Sequence, residues 1–284
     1  MKTCALISII LLSASCIVKS PKVESAGFNR LAPMMWSGDF PKTIQVSEKF
    51  NSDKITVIEE MAISWNMPNK TFYKIGNKLP VILNETYSDK DDDGIFGVYF
   101  VDPEDMPNYV PNTYSYTIAV TVLRILTQNY GKDNEYNEIR YADIYVRNDI
   151  PFRTSTSSPP LYSYDDYDFN SVMVHEFGHA LGLEHVSSRL KTKDETVMHS
   201  TISEEYYKKN PLSYDIEQIT KKYGIISGVS RPGMFAMAIE RKNYVPDNIE
   251  NKPFVKLIIE LRSDGECTHS IGDKVFHTHK TNLK

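Results

Sequence analysis

Apolar residues along this chain recur with two different periods. In residues 42–47 the order Lys-Thr-Ile-Gln-Val-Ser puts Ile44 and Val46 on one face, the alternation of a half-buried strand. Over residues 52–66 the spacing changes, and Ile55, Ile58, Met61, Ala62 and Trp65 recur at steps of three and four. That spacing predicts an amphipathic helix with Ser52 or Asp53 as its N-cap. Residues 79–83 and 95–101 read as strands on either side of an acidic turn, and residues 115–126 are rich in β-formers. A further strand is expected over 138–147, where residues 139–146 alternate. Residues 154–168, rich in Ser, Pro, Tyr and Asp, read as a loop. A helix follows, with Asp168 as N-cap and residues 172–183 as its body, and a closing helix is expected over 212–223. Gly224, Gly228, Pro232 and Gly233 mark the end of the main domain, and the tail beyond them holds one clear strand at 254–261.

Composition adds limits. The 284 residues are 41% hydrophobic and 24% charged, close to the globular average, and provide for one large domain or for one domain with an appendage. A net charge of −5 gives no reason to expect nucleic-acid binding. The N-terminus reads as a processing signal: Lys2, then eight apolar residues at 5–12, then Ser13-Ala14-Ser15 ahead of Cys16. Such a stretch is too short to span a bilayer and predicts an export signal over residues 1–15, followed by a tether at 16–37. Residues 12–16, Leu-Ser-Ala-Ser-Cys, resemble a loose bacterial lipobox whose Leu stands four residues before the Cys. Lipidation of Cys16 and a membrane anchor, or free secretion after cleavage at the same bond, both follow from it. With Cys4, Cys16 and Cys267 the only cysteines, at most one disulfide survives removal of the leader, so a core or a metal must hold the fold.

The chemistry concentrates in residues 175–185, His-Glu-Phe-Gly-His-Ala-Leu-Gly-Leu-Glu-His. On a helix His175 and His179 share one face and can share a metal. Glu176, one residue on, reaches a water at that metal more readily than the metal itself, as a general base requires. Gly182 tolerates positive φ and can end the helix, which brings His185 round as a third nitrogen ligand. Three of the seven histidines thus stand at ligand spacing, which satisfied surface histidines on an ordinary helix leave unexplained.

This extended motif resembles that of the metzincin metallopeptidases, and most closely the matrixins and their short bacterial relatives. Val197-Met198-His199, thirteen residues past His185, is similar to the methionine turn of that group. Residues 168–172, Asp-Phe-Asn-Ser-Val, resemble the start of the matrixin zinc helix, and residues 212–224 the closing helix. There Asp215 matches an aspartate that braces the methionine turn. The resemblance implies an α/β (α+β) domain over residues 38–228: a twisted mixed sheet packed on two long helices, with a third helix closing the lower subdomain. It also implies Zn²⁺ on His175, His179 and His185, with Glu176 as base for a zinc-bound water that hydrolyses peptide bonds. Ala142, Asp143 and Ile144 would belong to an edge strand that binds an extended substrate by β-augmentation. Partners would be protein or peptide substrates, extracellular matrix or host proteins among them, met by a monomer. Residues 229–284 fall outside the resemblance.

Some features depart from the family or point elsewhere. Val186 stands where matrixins usually carry Ser, and Ser200 where astacins and serralysins place a tyrosine. No cysteine-switch propeptide precedes the domain. Residues 89–94, Asp-Lys-Asp-Asp-Asp-Gly, resemble the opening of an EF-hand loop, but Phe100 occupies the twelfth position, where an acid belongs. A solvated acidic turn is the first reading there and a structural Ca²⁺ the second. Cys267, His269, His277 and His279 in the tail offer metal-binding side chains without a tight zinc spacing. Asn69 and Asn84 begin glycosylation sequons. A catalytically silent adhesin on the same fold remains the rival class of function, and the intact Glu176 speaks against it.

Overall fold

The computed structural model describes residues 32–79, 95–106, 117–129, 132–154, 166–186, 195–199, 207–224, 255–262, 266–271 and 274–280. Its centre is a nine-stranded sheet in the order β11-β10-β9-β5-β6-β4-β2-β3, with β1 also pairing to β6. These strands are β1 (Met34–Trp36), β2 (Lys42–Ser47), β3 (Tyr73–Leu79), β4 (Phe96–Val101), β5 (Thr117–Gln128), β6 (Tyr136–Arg147), β9 (Val255–Arg262), β10 (Glu266–Ile271) and β11 (Lys274–Lys280). A small parallel pair, β7 (Phe152–Arg153) and β8 (Tyr167–Asp168), leads into the second helix.

The sheet is parallel from β3 through β6 and antiparallel from β6 to β11. Parallel β2 and β3 need a crossover, and helix α1 (Ser52–Ser64) supplies it. Helix α2 (Phe169–Ala180) is buried along its whole length and packs on α1 and on the sheet. Val57, Ile58 and Met61 of α1, Val172, Val174 and Phe177 of α2, and Ile44, Leu123 and Ile144 of the sheet form one core. Polar anchors fix the relative positions of these layers. The Trp65 indole donates to Val174 O at 3.0 Å, and the Tyr73 hydroxyl to Phe177 O at 2.7 Å. Burying such groups is tolerable only because each finds a partner. Helix α3 (Ser213–Tyr223) ends at Gly224, whose φ of 65° suits a left-handed C-cap.

The architecture agrees with the mixed α/β fold expected from sequence, and several particulars differ. The N-cap of α1 is Asn51, one residue before those expected; its side chain accepts from Lys54 N at 2.9 Å. The strand expected at 79–83 runs earlier, over Tyr73–Leu79, and residues 80–83 lie outside the described residues. Helix α2 begins directly after Asp168 and ends at Ala180, because a carboxylate cap starts the helix at once. Residues 34–36, assigned to a tether, form β1 along β6.

Two differences affect the site. The strand carrying Ala142, Asp143 and Ile144 is not an edge: β6 lies between β4 and β5, and Asp143 accepts from Gly97 N at 2.9 Å. Alternation reports one buried face and says nothing about which neighbours a strand has. The tail, read as a single strand outside the main domain, contributes three, and β9 pairs antiparallel along β5 from Ile125↔Val255 to Thr117↔Arg262. Replacing Asn51 by Ala removes the cap of α1 and should cost about 1 kcal/mol in chemical denaturation, with the Gly variant losing only a few tenths.

Candidate metal centre

Helix geometry alone delivers the first two imidazoles. His175 and His179 lie one turn apart on α2, and their Nε2 atoms stand 2.9 Å from each other. After Ala180 the chain reverses at Gly182, where φ is 81°. A Cβ there would sit 2.4 Å from Met34 O, so both the backbone angle and the close approach call for glycine. The reversal carries His185 back, and its Nε2 lies 2.9 Å from those of His175 and His179. Among the described residues, these three are the group whose ligand atoms meet closely enough to hold a metal ion.

The floor beneath them is built from α3. Asp215 accepts from Thr196 Oγ1, from Val197 N at 2.9 Å and from Leu212 N at 2.9 Å. Thr196 Oγ1 in turn accepts from Met198 N at 2.9 Å, which fixes the turn at 196–198. Met198 then fills the space under α2, where a Cβ on Gly178 would lie 2.4 Å from its sulfur. Val186 N donates to Met198 O at 2.7 Å, and its side chain joins the same core as Met198, so the residue after the third histidine ties the two segments together. Desolvation raises the Asp215 carboxyl above its usual range, opposed by the donors around it.

The protonation of the imidazoles follows from their outer nitrogens. His175 Nδ1 donates to Val197 O at 2.7 Å and His179 Nδ1 to Leu183 O at 2.8 Å, since a carbonyl can only accept. Burial depresses both rings, His175 to about 4 and His179 well below its usual value. Both are therefore neutral at pH 7, with bare Nε2 lone pairs pointing at each other. These two lone pairs repel unless a cation sits between them, and His185 Nε2 stands 2.9 Å from both. Nitrogens on a tetrahedral zinc lie roughly 3.3 Å apart, so the cluster is close to the dimensions zinc requires. The donor set fits zinc.

Glu176 is fully buried beside the cluster. The Thr121 hydroxyl of β5 donates to its Oε2, whereas Oε1 has no hydrogen-bond partner among the described residues. Burial raises this carboxyl to about 8, with the Thr121 bond opposing the shift. Thr121 escaped the sequence reading; its only signal was a hydroxyl within the apolar run Ile118-Ala119-Val120-Thr121-Val122-Leu123. His269 on β10 was noted only as a tail histidine, yet its Nε2 lies 3.2 Å from His185 Nδ1. Cys267 and His279 face each other across β10 and β11, as do His269 and His277, but among these four only the side chain of His269 is described. Residues 80–94, Ser200 and Cys16 lie outside the described residues, so the acidic loop at 89–94, the position after His199 and the lipidation site are not placed.

The model of the matrixin family (Peptidase_M10) matches residues 64–224, more than half the chain and the whole of the site described above. The chain belongs to the matrixin family. It is accordingly a zinc metallopeptidase with protein substrates. No curated protein and no solved structure matches it. The match ends at Gly224, before the tail whose strands complete the sheet. Because Asp215 answers three donors at once, Asp215→Ala removes the acceptor that all three use. It should destabilise the protein by roughly 1–3 kcal/mol per orphaned group, read in urea unfolding.

Proposed function

We propose that this matrixin is an exported endopeptidase in which His175, His179 and His185 hold zinc and Glu176 is the general base. The observation that carries the reading is the convergence of three imidazole Nε2 atoms beside a buried carboxyl oxygen, Glu176 Oε1, that has no hydrogen-bond partner among the described residues. Zinc, when bound, supplies a Lewis acid that makes water a nucleophile near neutral pH and polarises a peptide carbonyl.

The chain's own residues do the rest. Thr121 holds Oε2 and leaves Oε1 to accept the proton of the attacking water. Glu176 takes that proton in its ionised form and then returns it to the departing amine nitrogen. Val197 O and Leu183 O orient two of the imidazoles and keep their Nδ1 atoms protonated. The apolar core around α2 excludes bulk water and strengthens each of these interactions.

Export rests on the leader at residues 1–15, with Cys16 as the site of lipid attachment if the protein stays at the cell surface. Extracellular or host proteins are the substrate class that such a location supplies. Purified full-length protein should bind about one zinc per chain and hydrolyse casein or gelatin, with a chelator abolishing activity. Glu176→Ala should retain its zinc and lose roughly 10²–10⁴-fold in kcat/KM. His179→Ala should lose metal and activity together. Full activity in Glu176→Ala would contradict the assignment of the base.

A further inference from the structure

The tail outside the family match lies across the metal centre. Strand β9 covers the outer side of β5, the strand whose Thr121 touches Glu176. The inner side of β5 is taken by β6. An extended peptide aligned on Thr121 can pair only with the outer side of β5, and β9 already makes the backbone bonds available there.

Register shows what lies over the histidines. Thr121 is paired with Ile259 of β9, and Ile259 with His269 of β10. Directly paired residues project to the same face of a sheet. One end of this row touches Glu176 through Thr121, and the other reaches His185 through His269 at 3.2 Å. Ile259 stands between them, fully buried. His175, His179 and Glu176 are fully buried as well, and His185 is 8% exposed. Leu257 and Leu261 flank Ile259 on the same face and join the main core.

We propose that the hairpin β9–β10 is an intramolecular occupant of the substrate edge. It roofs the metal centre, and it must part from β5 before a peptide can enter. The proposal rests on the peptidase reading for its consequence and on strand pairing for its structure. A strand from the same chain has a high effective concentration and suffers no loss of translational freedom, so it outcompetes a free peptide until something releases it. His269 adds a polar latch: with His185 Nε2 turned toward the metal, His185 Nδ1 carries the proton and His269 Nε2 accepts it.

The test locks and loosens the roof in the full chain, with Cys4, Cys16 and Cys267 changed to serine. Val122 and Ile258 are paired and pack together on the opposite face of the sheet from Thr121, so Val122→Cys with Ile258→Cys allows a disulfide that spares the site. Leu257→Ser with Leu261→Ser weakens the docking of β9 without touching a ligand or the base. Two readouts are taken: cleavage of an unstructured peptide, and the rate at which metal-free protein takes up Co²⁺. The oxidised lock should slow both at least tenfold, with recovery on reduction. The loosened variant should raise both at least tenfold. Oxidised, reduced and loosened forms that cleave and load alike would overturn the proposal. So would a loosened variant that still folds but cleaves less, which would make the hairpin a part of the working site. Metal uptake that follows the lock with no cleavage in any form would leave the roof standing and remove the peptidase reading instead.

Discussion

Three imidazole nitrogens held 2.9 Å apart, two of them without a proton, are an unfavourable arrangement by themselves, and much of this fold serves to impose it. The helix supplies one pair by its own periodicity. The third comes from a reversal that only glycine makes without strain, against a backbone oxygen of β1. Two carbonyls then fix which nitrogen of His175 and of His179 faces inward. A metal ion converts this repulsion into the strongest local interaction of the domain, which couples metal binding to folding.

The supports are layered. Asp215 shapes the turn that carries Met198; Met198 fills the hollow beneath Gly178; and the Trp65 indole, 2.9 Å from the same hypothetical Cβ, closes it from α1. Trp36 Nε1 and the Tyr223 hydroxyl bind the carbonyls of Ala180 and Leu181 at 2.7 and 2.9 Å, where the helix end would otherwise leave them bare. Chain segments from the N-terminus, from α1 and from α3 all meet at the last turn of α2. A buried cluster of ligands survives only where every neighbouring polar group is similarly answered.

Sequence carried the site well because its geometry is local. His175, Glu176, His179 and Gly182 are set by helix periodicity and one positive φ, and Asp168 by cap chemistry. Met198 and Asp215 were legible only through resemblance, since no periodicity links Val197 and Asp215, 18 apart in sequence, to a shared hydrogen bond. Thr121, Ile259 and His269 come together through strand register, which alternation leaves undetermined. The same gap explains the misplaced edge at Ala142–Ile144: alternation reports a buried face, but which strand lies outermost is decided by pairing across more than a hundred residues. The tail was hardest to read because its partner strand had already been given to the main domain.

The fold brings the Nε2 atoms of His175, His179 and His185 together, and on the proposed reading one zinc ion sits among them. Zinc-edge X-ray absorption on the full-length, zinc-loaded protein tests this most directly. It should show three imidazole nitrogens at about 2.0–2.1 Å and no sulfur in the coordination sphere. Sulfur scattering from Cys267, or fewer than three imidazoles, would contradict it.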